Sequence, residues 1–198
     1  MFVTAKHGQN PRLGSATLVQ KNVIPDALKA AGIDVVKATQ DDVSLLWLKD
    51  QSKVSQANQV LTALKATHSN VGIDNILFGN KLQQAGFGNP LQNKRTPDLI
   101  VTLKPGFVLV GNLAATNKRA EHGGFSEDDT HVALIVGSSG LPKNLRGTIQ
   151  ATKVTTTQIA VTTLDALGLN PDNLQGAKTE GTKVLPGLGI AALVGSRE

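Results

Sequence analysis

Cysteine is absent from all 198 residues, which excludes disulfides, thiolate metal sites and cysteine nucleophiles together. The absence does not fix a compartment, because a periplasmic or extracellular protein can also do without cysteine. Tyrosine is missing too, and aromatics make up 3% of the chain, so the stacking residues that interleave with basic ones in a nucleic-acid groove are scarce. Basic residues are not clustered either: the net charge of +5 is scattered, and Lys94-Arg95 and Lys118-Arg119 are the adjacent basic pairs. No nucleic-acid partner is expected. Apolar runs are short, far below the roughly 20 residues that cross a bilayer, so no membrane span is expected. The opening MFVTAKHGQ has no basic region leading into a long apolar stretch and does not read as a secretory signal.

What is present is an ordinary globular composition, 40% apolar and 18% charged, enough for one α/β domain with a core. Phe2, Val3, Thr4 and Ala5 read as a short strand ending in Lys6-His7-Gly8. Ile24, Ala27, Leu28 and Ala31 recur at helical spacing, with Pro25 near the start and Gly32 as a cap. Residues 33–36 read as a strand, residues 43–48 as another, and Val54, Ala57, Leu61 and Leu64 as the seam of a second helix. Residues 73–78 form a further apolar run, residues 98–103 and 107–110 two strands around Pro105-Gly106, and residues 132–136 a buried strand. Between these, the polar segment 112–129 reads as a long surface loop, and loops of that length usually carry function or are disordered. A last helix is predicted over 157–167, with Ala160, Leu164 and Leu167 as its buried stripe, Gly168 closing it and an N-cap role for the threonines at 155–157.

Two of the four histidines share a local context, Lys6-His7-Gly8 after a strand and Glu121-His122-Gly123-Gly124 in the long loop. A following glycine lets the backbone turn and leaves a ring face open, as a ligand-bearing loop needs, although a loop histidine without a ligand is the commoner case. His131 directly precedes the strand at 132–136, and Glu127-Asp128-Asp129 reads as a solvated acidic run. His68 follows the second helix, where a cation suits the helix terminus, and Trp47 reads as core.

The segment AEHGGFSEDDTHVALIV (120–136) resembles the stretch of type I phosphodiesterases and nucleotide pyrophosphatases, in the alkaline phosphatase superfamily, where a His-Gly supplies a late metal ligand ahead of a strand. VTAKHGQNP (3–11) is similar to the place where that superfamily writes Asp-His-Gly at the end of a central strand. RTPDLIVTLKPGFVL (95–109) and TTTQIAVTTLDALGL (155–169) resemble the intervening strand and Pro-Gly turn and the closing helix. The four blocks occur in the superfamily's order and span nearly the whole chain.

The resemblance implies an α/β fold, the C-terminal part of an alkaline phosphatase-like layered sheet with helices on both faces. Residues 1–198 would form the C-terminal portion of one such domain, with an inserted α/β lobe at about residues 25–82. It implies a site of two divalent ions, zinc in the common case, about 4 Å apart, with a phosphate-ester small molecule as substrate. His7 and His122 match metal ligands. Lys6 stands where the superfamily has an aspartate; an ammonium cannot bind a metal but can face a phosphate as a fixed positive charge. Lys6 and His131 are candidates for contact with substrate or for supporting the ligands. The superfamily's nucleophile and its remaining carboxylate ligands match nothing in this chain and fall before residue 1, so the expectation is a partial hydrolase, inactive alone. Periplasmic or extracellular residence fits a full-length relative. The rival readings are a small non-catalytic α/β module binding an anion or a partner, and a sulfatase or other esterase of the same superfamily.

Overall fold

The computed structural model describes residues 1–11, 16–114 and 120–189. Its strands are β1 (Phe2–Thr4), β2 (Asn10–Pro11), β3 (Thr17–Gln20), β4 (Val35–Gln40), β5 (Val43–Leu48), β6 (Ile73–Phe78), β7 (Leu99–Leu103), β8 (Phe107–Val110), β9 (Ala120–Glu121) and β10 (Leu134–Val136). Its α-helices are α1 (Val23–Ala30), α2 (Val54–Thr67), α3 (Asn80–Gln84), α4 (Glu127–Thr130), α5 (Gln158–Ala166) and α6 (Gln175–Glu180). The fold is mixed α/β, in two units: residues 7–131, and residues 1–6 with 132–198.

Residues 7–131 are built on a four-stranded antiparallel sheet in the order β4-β5-β7-β6. Side chains alternate faces along a strand, and the sequence obeys that period on the central strands. Leu46, Leu48, Leu99, Val101 and Leu103 enter one cluster with Ile24 and Leu28 of α1 and Ala57, Leu61 and Leu64 of α2. The alternate positions Val43 and Ile100 meet Leu82 of α3 in a second cluster, so helices cover both faces of this sheet. β7 is buried along its whole length, as a strand sandwiched between two helical layers must be. This inner strand comes from residues 99–103, later in the chain than β4, β5 and β6. Beside it, β3 and β8 pair in parallel, and β2 pairs β9 antiparallel with Asn10 opposite Glu121.

Helix α1 closes with a double backbone lock: Gly32 N–H donates to Lys29 O and Ile33 N–H to Leu28 O, at 2.9 Å each. Leu28 and Ile33 are both in the core beneath it, the apolar contact that accompanies this termination. Ile33 is thus used up as part of the cap, and β4 begins at Val35 instead of at residue 33. Trp47 is half-buried, with Lys37 Nζ 5.2 Å from its ring centroid, so it borders the core without lying inside it.

In residues 1–6 with 132–198, β1 pairs β10 antiparallel, with Val3 opposite Ile135. The N-terminal ammonium donates to Gly137 O at 2.7 Å and Thr4 Oγ1 to Ala133 O at 2.8 Å. The strand expected over 132–136 is shorter, because β1 offers only three residues to pair with. The stripe expected on α5 is corrected as well. Val161 and Thr162 are its buried residues, while Ala160 and Leu167 are exposed. Thr162 Oγ1 explains the rotation: it donates to Gln158 O at 2.6 Å and accepts from Leu185 N at 2.8 Å, so the hydroxyl is satisfied by being turned inward. The threonines at 155–157 do not cap α5 through their hydroxyls; Thr157 already has helical φ −60 and ψ −27, and Gln158 Oε1 accepts from Thr155 N at 2.9 Å instead.

The predicted loop at 112–129 holds more order than its composition suggests, containing β9 and α4, while 115–119, including Lys118-Arg119, lie outside the described residues. Among the described residues no helix is long and apolar enough to cross a membrane.

Candidate functional site

The two His-Gly segments meet within residues 7–131. The β2–β9 ladder fixes the register, with Asn10 opposite Glu121 and Pro11 opposite Ala120, and the antiparallel course carries residues 7–9 past residues 122–124. Gly8 N–H donates to Asp129 O at 2.7 Å, which ties the first segment to α4. A Cβ at Gly8 would lie 1.8 Å from Asp128 O, so this glycine is required by close approach to a neighbouring backbone. At the second segment it is conformation that demands glycine: Gly123 has φ +107.

The rings of His7 and His122 stack with centroids 3.9 Å apart and planes at 24°, and both residues are half-buried. His7 Nδ1 is 2.7 Å from Gly8 O. A carbonyl oxygen only accepts, so Nδ1 is the donor in this contact. Metal-binding histidines are held in this way, one ring nitrogen donating to a backbone carbonyl and the other facing the ion.

Two further candidates, His131 and Lys6, are exposed side chains. His131 is exposed, with Nδ1 3.4 Å from Glu127 Oε1 one helical turn away. Lys6 is exposed and belongs with residues 1–6 and 132–198. His68 ends α2, its Nδ1 2.8 Å from Thr67 Oγ1, in the structural role expected. The acidic run is corrected: it forms the first turn of α4 and its last member is buried, Asp129 being 4% exposed. Ser126 Oγ accepts from Asp129 N–H and donates to Asp129 Oδ2 at 2.8 Å. The Ser126-x-x-Asp129 spacing of a capping box was the signal for this burial.

Neighbouring carboxylates do not complete a metal cage. Among the described residues no group of three or more His, Asp or Glu side chains could hold an ion. Two imidazoles fall short of the three or four protein ligands of a catalytic or structural zinc site, so the residues present do not by themselves fit a resident metal, and no chemical step is routed through one.

No family model and no curated protein matches the sequence. Among solved structures, the chain is similar to the phosphonoacetate hydrolase of Sinorhizobium meliloti 1021 in complex with phosphonoacetate, at 18% identity and a TM-score of 0.45, over 68% of this chain and 35% of that one. The chain thus spans about a third of that enzyme's length. At this TM-score the likeness carries no weight for the chemistry of this chain.

Proposed function

We propose that this chain is part of a metal-dependent phosphoric-ester hydrolase of alkaline phosphatase-like layered architecture, contributing His7 and His122 as metal ligands. The observation that carries the reading is the stacking of the two histidines at 3.9 Å. They lie far apart in sequence, and each resembles a metal-ligating His-Gly of that superfamily. Side-by-side rings at this spacing suit ligands of two different ions, since paired catalytic ions sit about 3.5–4 Å apart. The Gly8 carbonyl supports the same reading by accepting from His7 Nδ1, the kind of bond that orients metal-binding histidines. Bound ions would stabilise the charge that develops on the transferring phosphoryl oxygens. Lys6, in place of an aspartate ligand, removes one donor and adds a cation suited to a phosphate oxygen. Alone, the chain turns over no ester, because two imidazoles supply neither a closed cage nor a nucleophile.

The test is zinc content by equilibrium dialysis, with zinc-dependent thermal stabilisation, on the chain and its His7→Ala and His122→Ala variants. Turnover of bis-p-nitrophenyl phosphate is followed on the same samples. Stoichiometric zinc that each variant loses supports the ligand roles. Zinc binding that survives both substitutions removes them, and measurable turnover overturns the claim of inactivity.

A further inference from the structure

The four-stranded sheet of residues 7–131 ends in β4 on one side and β6 on the other. The two edges are built differently. Residues 36–39 of β4 are exposed, and Lys37 stands among them over the Trp47 ring, a charged edge of the kind that discourages pairing. β6 instead borders a groove of about 560 Å³, within the roughly 300–1,000 Å³ of ligand pockets. One wall is α2, which presents Asn58, Thr62 and Lys65 at i, i+4 and i+7. The other is β6 itself, where Ile76 and Phe78 are half-buried against the main core cluster.

Backbone groups of β6 face this groove. Leu103 N–H donates to Asp42 O at 3.3 Å, so alternation along β7 turns Val101 and Leu99 toward β5 and Ile100 toward β6. Leu77 lies opposite Ile100 and therefore faces β7, which leaves the N–H and C=O groups of Ile76 and Phe78 directed at the edge. Asp74, two residues earlier, points the same way, since its carbonyl accepts from Lys65 Nζ. Among the described residues no strand pairs with this side of β6. Charge is uneven as well. Lys65 and Lys81 line the groove against one carboxylate, Asp74, whose Oδ2 accepts from Asn75 Nδ2. Among the described residues Lys81 forms no ion pair.

We propose that this groove docks an extended peptide segment bearing an acidic residue, added antiparallel to β6 as a further strand. Outward groups that recur at every second residue, about 6.6 Å apart, match another extended backbone. Antiparallel addition continues the pairing of this sheet and brings the N-terminal end of the segment to Lys81, where an acidic side chain finds its partner. Peptide residues opposite Ile76 and Phe78 would place their side chains on the α2 face, between the half-buried apolar pair and the polar wall of Asn58 and Thr62. The inference does not depend on the roles proposed for His7 and His122.

The experiment is an NMR titration of the ¹⁵N-labelled full chain with the blocked peptide acetyl-Glu-Val-Thr-Val-Thr-amide. Saturable shifts are expected at the Thr62, Ile76 and Phe78 amides. The same peptide with both valines N-methylated loses the donors that pair with β6 and should give no saturable shift. Replacing the glutamate by lysine should weaken binding about fivefold, the scale of an exposed ion pair, and Lys81→Glu in the protein should reverse that preference. No saturable shift with the first peptide, equal binding of the N-methylated one, or a preference for glutamate that survives Lys81→Glu overturns the proposal.

Discussion

Residues 7–131 and residues 1–6 with 132–198 are held together by different means. In the first, Ile24, Leu28, Leu46, Leu61, Leu99 and Val101 are inaccessible to solvent and join one cluster that links the sheet to two helices. In the second, Leu141, Val161 and Leu185 are the buried apolar residues among those described, while Ile135, Ile149, Leu167 and Leu169 stand exposed. Polar side chains bridge the backbone instead. Arg146 Nη2 and Nε donate to Ser139 O and Leu141 O at 3.0 and 3.1 Å, and Gln158 Nε2 donates to Lys183 O and Val184 O. Hydrophobic burial contributes roughly 25 cal/mol per Å², whereas ordering costs about 1–2 kcal/mol for each residue's backbone. With three apolar side chains buried among its described residues and hydrogen bonds of about 1 kcal/mol net, the second is expected to be the less stable of the two.

The comparison fails most visibly if core and surface positions behave alike. Leu99 is 0% exposed on the central strand of the sheet, and Leu99→Ala is expected to cost about 2–5 kcal/mol in urea unfolding. Ile149, 97% exposed, should tolerate alanine within about 0.5 kcal/mol. Equal losses at the two positions would mean that residues 132–198 contain a core comparable to that of residues 7–131. A smaller effect sharpens the contrast. Thr162→Val keeps the shape of the side chain but leaves the Leu185 N–H without its acceptor, so it should cost about 1–3 kcal/mol. Hydrogen exchange on the same variant should show the loss at the Leu185 amide while the β5 and β7 amides keep their protection; loss of protection there would show that the hydroxyl supports more than its own segment.

The same contrast governs what could be read from the sequence. Where apolar residues dominate, period alone located the elements: Ala57, Leu61 and Leu64 face the core of α2 as their spacing predicted, and the apolar runs at 43–48 and 73–78 became β5 and β6. Where polar contacts dominate, period misled. On α5 Thr162 turns inward beside Val161, its hydroxyl finding two backbone partners, and no hydropathy pattern announces such a pair. The candidate site falls between these cases. The shared His-Gly context singled out His7 and His122, and the structure brings their rings together. Asp129 reads from the sequence as part of a solvated acidic run, but it is buried, with its backbone carbonyl accepting from Gly8 N–H, a contact between distant segments that the local sequence does not announce. The short strands β2 and β9, two residues each, lie below the length at which alternation can be seen.

The smallest expected effect tests how little an exposed cap contributes beside that core. Asp50 precedes the turn leading into α2, and its carboxylate accepts from Ser52 Oγ at 2.6 Å and Ser52 N at 3.0 Å. The Ser52 hydroxyl first, then the Ser52 amide and the nearby Lys53 charge, hold its pKa below the ordinary 3.8. The ionised form is favoured in the folded state, so its contribution is fully present above the unfolded-state pKa and is lost as pH falls through the lower folded-state value. Asp50→Ala should therefore unfold more readily than the unaltered chain by a constant margin at neutral pH. That margin should narrow only below about pH 4, where the aspartate of the unaltered chain begins to take up a proton. Parallel urea titrations from pH 7 to pH 2.5 read this directly. A margin that stays constant down to the lowest pH would mean that Asp50 acts through its shape and not its charge.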